Sequence, residues 1–132
     1  MFQTAALQVT ALYAGLLGIM CIVLAFLPGR LRGSSGVSIG DGGNPELLLA
    51  MRRHANFIEF VPLILILMGI LEINGVSSTA IHVMGAGLVV ARICHAVGIK
   101  ADTMQSLPRG IGAGGSTLIM LVASVWAIIT FF

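Results

Sequence analysis

Four apolar stretches, at about residues 5–27, 45–73, 77–98 and 108–132, take up most of this chain of 132 residues. Crossing a hydrocarbon core of about 30 Å takes roughly 20 helical residues, and each stretch is long enough. In lipid every backbone N–H and C=O must find a partner inside the protein, so runs of this length are read as helices. The expected fold is all-α, an integral membrane four-helix bundle in a single domain. Composition agrees, since 58% of residues are hydrophobic and only 9% charged, whereas a soluble domain carries about 25% charged residues. The formal charge of +2 is too small and too scattered to suggest a nucleic-acid partner, and none is expected. Membrane lipids are the expected surroundings.

Punctuation between the stretches refines their limits. Met1-Phe2-Gln3-Thr4 has no basic run ahead of the first span, so a cleaved signal is not expected. The first helix is expected to stop at Pro28-Gly29, and the glycine density from Gly29 to Pro45 argues against helix in that connection. Within it, Gly40-Asp41-Gly42-Gly43 suits a tight fold that uses φ values open to glycine. It lacks the preceding strand and following Lys-Ser/Thr of a phosphate-binding loop. Asn44 and Pro45 fit the cap and first position of the second helix. Pro62 lies inside that helix and frees the carbonyl of Ile58. Asn74-Gly75 reads as a turn, and Gly85, Gly87 and Ala91 as a close-packing surface of the third helix. Cys21 and Cys94, both in apolar runs, read as packing residues. All seven Lys and Arg residues fall in the first and third connections or the helix ends beside them. The positive-inside rule places those connections in the cytoplasm.

Polar residues inside the spans carry the functional signal. Arg52, Asn56 and Glu59 lie at i, i+4 and i+7, hence within about 60° of one another round a helix. Arg92 and His95 share a face of the third helix at the same level. A Glu59–Arg92 ion pair is expected between the two. Arg53 and Lys100 read as topology determinants that snorkel to head groups, and Glu72 and His82 as solvated helix-end groups. Arg109, after Pro108, puts a cation in the first turn of the fourth helix, where the dipole favours an anion. The pair makes a good anion site. Together these groups suit an anionic, amine-bearing small ligand at the cytoplasmic interface. No metal is expected.

The string Arg52-x-x-x-Asn56-x-x-Glu59-x-x-Pro62 at the start of the second span resembles the signature of the MAPEG family, the membrane-associated proteins in eicosanoid and glutathione metabolism. The likeness extends to Gly40-Asp41-Gly42-Gly43-Asn44, Arg53-His54-Ala55-Asn56-Phe57, Ala91-Arg92-x-x-His95-Ala96-x-Gly98 and Arg109, and is closest to the short bacterial branch. The resemblance implies a homotrimer in a bacterial inner membrane, with glutathione held between protomers near the cytoplasmic face. On matching positions Arg52, Asn56, Glu59 and His95, with Arg92 beside them, would hold the tripeptide. Arg30 or Arg32 would add a further contact, and Arg109 would stabilise the thiolate.

That implies a glutathione transferase acting on lipophilic electrophiles, extending to peroxide reduction. Departures from the pattern narrow it. Ile99 stands where eicosanoid-forming members have tyrosine, His95 where leukotriene-synthase-like members have tyrosine, and Phe60 where several relatives have tyrosine. An eicosanoid substrate is therefore not expected. Two alternatives remain: a non-catalytic scaffold that binds lipid or glutathione, and a small multidrug exporter using Glu59. Several arginines in one site disfavour the exporter, whose cargo is cationic.

Overall fold

The computed structural model describes residues 7–103 and 105–132. Its helices are α1 (Gln8–Ser35), α2 (Pro45–Ile73), α3 (Ser78–Gly98) and α4 (Leu107–Ile129). All four are long and apolar enough to cross a membrane. Ala5 and the Met1–Thr4 segment lie outside the described residues.

Helix α1 does not stop at Pro28 as expected. It continues to Ser35 and ends at Gly36, whose φ of 69° is left-handed and whose N–H donates to the Arg32 carbonyl. Proline and glycine are locally unfavourable in a helix, but Leu24 and Pro28 are buried against the bundle, and tertiary packing outweighs the local penalty. The Arg32 side chain also holds the end of the helix, donating from Nη1 to the carbonyls of Gly40 (2.8 Å), Val37 (3.3 Å) and Ser38 (3.3 Å). The irregular connection is thus shorter than expected.

The tight fold read into Gly40–Gly43 is present. Gly40, Gly42 and Gly43 have φ of 74°, 57° and 75°, and Asp41 Oδ1 accepts the Gly43 N–H at 3.0 Å. A Cβ on Gly42 would run into the Val37 side chain. Asn44 Oδ1 then caps α2, accepting from Glu46 N (3.0 Å) and Leu47 N (3.2 Å), with Pro45 as the first helical residue. Helix α4 ends at Ile129 rather than Phe132. Thr130 Oγ1 turns back to the Ala127 carbonyl (2.7 Å) and accepts from Asn74 Nδ2 (3.0 Å), which ties the α2–α3 turn to this end.

Helix α1 packs on α2 and α3, and α4 packs on α2 and α3. The core between them includes Leu17, Phe57, Ile64, Met68, Ile81 and Leu88. Glycines permit the closest approaches. Gly85 receives the Tyr13 ring, Gly112 lies on the His95 backbone, and Gly98 lies on the Pro108–Arg109 backbone.

At the end of the bundle that carries the α2–α3 turn, His82 is exposed as expected, whereas Glu72 is more than a solvated helix-end group. The Glu72 carboxylate accepts from Val9 N and Thr10 N at 2.8 Å each, capping α1 from α2. Leu7 at the N-cap position supplies no side-chain cap of its own. His82 Nδ1 is 3.0 Å from the Tyr13 hydroxyl.

Candidate functional site

The opposite end holds the residues singled out by sequence, and α2 distributes them on two sides. Its buried face carries Phe57, Val61 and Ile64, which lie about 120–180° round the helix from Arg52. Arg52 and Glu59 accordingly point out of the bundle and are exposed, while Asn56 sits half-buried at the rim. The expected Glu59–Arg92 ion pair does not form, because the two side chains face different ways.

Arg92 instead turns into the bundle, where it is 1% exposed. Its Nη2 donates to Asn56 Oδ1 (2.7 Å) and its Nη1 to Ser116 Oγ (3.1 Å), joining α3 to α2 and α4. His95, one turn on, is 3% exposed, and its Nδ1 has no hydrogen-bond partner among the described residues. Arg53 does more than set topology, since its Nη2 donates to the Ile99 carbonyl (3.2 Å) at the C-terminal end of α3.

Ser106 builds the junction on which Arg109 stands. Its hydroxyl donates to the Gly98 carbonyl (2.6 Å) and accepts from Arg109 N (3.3 Å), so one side chain closes α3 and caps α4. Serine ahead of Leu-Pro is a readable N-cap signal, and it marks Ser106 as the cap of α4. Ser116 carried no such signal, being one of three hydroxyl residues, with Thr117 and Ser124, in a glycine-rich helix.

Arg109 and Arg52 meet across a cavity of about 310 Å³ that also takes in Lys100, with Leu48, Leu49 and Ile99 as apolar walls. Among the described residues no carboxylate lines it. Arg109 also borders a broader hollow of about 970 Å³ along α4, lined by Leu107, Gly110, Ile111 and Gly114. One arginine therefore stands between a cationic cavity and an apolar groove. The structure brings together Arg52, Arg109 and Lys100, and separately Asn56 with Arg92. It does not bring Arg30 or Arg32 to them. Arg30 is exposed beside Ile22 and Phe26 on α1, and Arg32 is engaged by the loop carbonyls and by Met51 Sδ (3.4 Å).

A family model described as the MAPEG family matches residues 10–129. The chain belongs to the MAPEG family. It is 34% identical over 120 residues to the inner membrane protein YecN of Escherichia coli strain K12, covering 90% of this chain and 92% of that protein. YecN of Escherichia coli O6:H1 strain CFT073 matches to the same extent. No solved structure is a significant match. For a MAPEG chain the outward stripe on α2 has a direct reading: Arg52 and Glu59 are charged, exposed and in a membrane-spanning helix. Such groups in lipid need a partner or a water-filled cavity, and Glu59 has no hydrogen-bond or ion-pair partner among the described residues.

Proposed function

We propose that this MAPEG protein is a glutathione S-transferase-like membrane enzyme, assembled as a homotrimer, that activates the glutathione thiolate for attack on lipophilic electrophiles. The observation that carries the reading is the cavity in which Arg52 and Arg109, from α2 and α4, stand with Lys100 and no acidic residue. Glutathione has two carboxylates, one ammonium and a thiol, so a pocket dominated by cations suits it. Glu59, outside that cavity on the exposed face of α2, supplies the counter-charge for the ammonium when a neighbouring protomer closes over the stripe. The cluster of Lys and Arg at this end supports a cytoplasmic orientation.

Arg109 holds the sulfur. A free thiol has a pKa of about 8.5, and lowering it by about two units takes roughly 2.7 kcal/mol of preference for the anion. A guanidinium at a helix N-terminus, in a site walled by apolar side chains, is a sufficient source. The thiol proton leaves to water. The sulfur then forms a carbon–sulfur bond while the leaving group departs with its electron pair. The apolar groove on the other side of Arg109 is where a lipophilic electrophile would arrive from the bilayer. In the variant Arg109→Leu, glutathione binding should persist nearly intact while the thiolate absorbance and the transferase rate with a chlorodinitrobenzene-type electrophile disappear. Unchanged turnover would remove Arg109 from the chemistry.

One observation favours a second reading, a non-catalytic glutathione- or lipid-binding scaffold. Ile99 forms part of the cavity wall, at the position where eicosanoid-forming members carry a tyrosine hydroxyl. Glutathione binding without turnover in the purified protein would select that reading.

A further inference from the structure

Arg92 is the one arginine that the fold encloses completely, and it has no carboxylate partner among the described residues. Its guanidinium carbon lies 5.8 Å from the centroid of the Phe57 ring. An enclosed charge with neutral partners is costly, which raises the question of what it does there.

The chemistry of its two contacts answers this. A guanidinium has five N–H donors and no acceptor. The end of the Asn56 amide that faces it at 2.7 Å must therefore be the oxygen. The two ends of an amide are otherwise hard to tell apart, but an arginine neighbour decides between them. The Asn56 Nδ2 group is then turned away from Arg92 and has no acceptor among the described residues. It sits on the rim of α2 between Arg52 and Glu59, both exposed.

Ser116 fixes the other side of the guanidinium. It is 0% exposed, and its hydroxyl donates to the Gly112 carbonyl (2.8 Å), which leaves oxygen lone pairs for Arg92 Nη1 at 3.1 Å. Gly112 is also the residue that lets α4 lie against the His95 backbone. The same close approach brings Ser116, one turn further on, within reach of Arg92.

We propose that Arg92 and Ser116 are positioning residues that lock Asn56 with its carbonyl oxygen inward, so that its amide hydrogens are presented outward to a carboxylate or carbonyl oxygen of the ligand. Arg92 on this assignment supports the site from behind and does not touch the ligand. The arrangement also sets α2, which carries Asn56, against α4, which carries Arg109. The inference deepens the glutathione reading and rests on it.

The variant Asn56→Asp separates this role from a purely structural one. A carboxylate still satisfies Arg92, now as an ion pair, but the group turned outward changes from donor to acceptor. In the full-length, detergent-solubilised protein, thermal stability should be kept or raised. Affinity for glutathione should fall about tenfold or more, the size expected for losing a hydrogen bond to a charged group. Ser116→Ala, which leaves Asn56 itself intact, should weaken glutathione binding several-fold, and Ser116→Thr should restore it. Wild-type affinity in Asn56→Asp, or reduced stability with unchanged affinity in Ser116→Ala, would overturn the positioning role alone. Failure of the wild-type protein to bind glutathione would overturn the ligand reading and the donor role together.

Discussion

Glycines in this chain look interchangeable in the sequence and are not so in the fold. A methyl group at Gly112 would collide with the His95 backbone, which has no room to retreat, whereas one at Gly110 meets nothing within 4 Å. Gly112→Ala should therefore lower the thermal stability of the solubilised protein by about 1–3 kcal/mol, the usual cost of overpacking. Gly110→Ala should leave it unchanged or raise it by up to about 1 kcal/mol, because alanine favours helix. Equal melting temperatures for the two variants would contradict the packing described for α3 and α4. The candidate site residues show how far the sequence could be read at this scale. Arg52, Asn56, Glu59, Arg92, His95 and Arg109 stand out in the sequence as polar residues within or at the ends of apolar spans. Which of them faces outward and which inward is not legible there, because period alone gives relative angle and leaves the direction of the buried face open. The same gap explains the missing Glu59–Arg92 pair.

Helix limits were legible where a side chain announces them and obscure where tertiary contacts override local preference. Asn44 and Pro45 open α2 as a cap and first-turn proline should. Pro28 and Gly29, equally plain signals, fail to end α1, since the Arg32 clasp and the buried Leu24 and Pro28 hold the extra turns. The start of α1 is held from a distance. Glu72, at the end of α2, supplies the cap that Leu7 cannot. No local pattern links residues so far apart in the chain. Replacing Glu72 by Gln keeps its size but halves its acceptor oxygens and removes its charge. Amide exchange at Val9 and Thr10 should then accelerate, and stability should fall by about 1 kcal/mol, the typical worth of a helix cap. Unaltered exchange at those amides would show that α1 holds its first turn without α2.

Across the whole molecule the two ends are built differently. One is closed by contacts within the bundle: the Glu72 cap, the Tyr13–His82 pair and the Asn74–Thr130 bond. The other leaves Arg52 and Glu59 exposed on a membrane-spanning helix, with a cationic cavity and an apolar groove meeting at Arg109. That asymmetry supports the proposed ligand site at the second end, where charge on a membrane-spanning helix is left exposed. Equilibrium binding of glutathione to the detergent-solubilised protein, by calorimetry, tests this most directly. Saturable binding, weakened about tenfold or more when Arg52 is replaced by Ala, is the expected result. Heats that never saturate, or an affinity indifferent to Arg52, would contradict it.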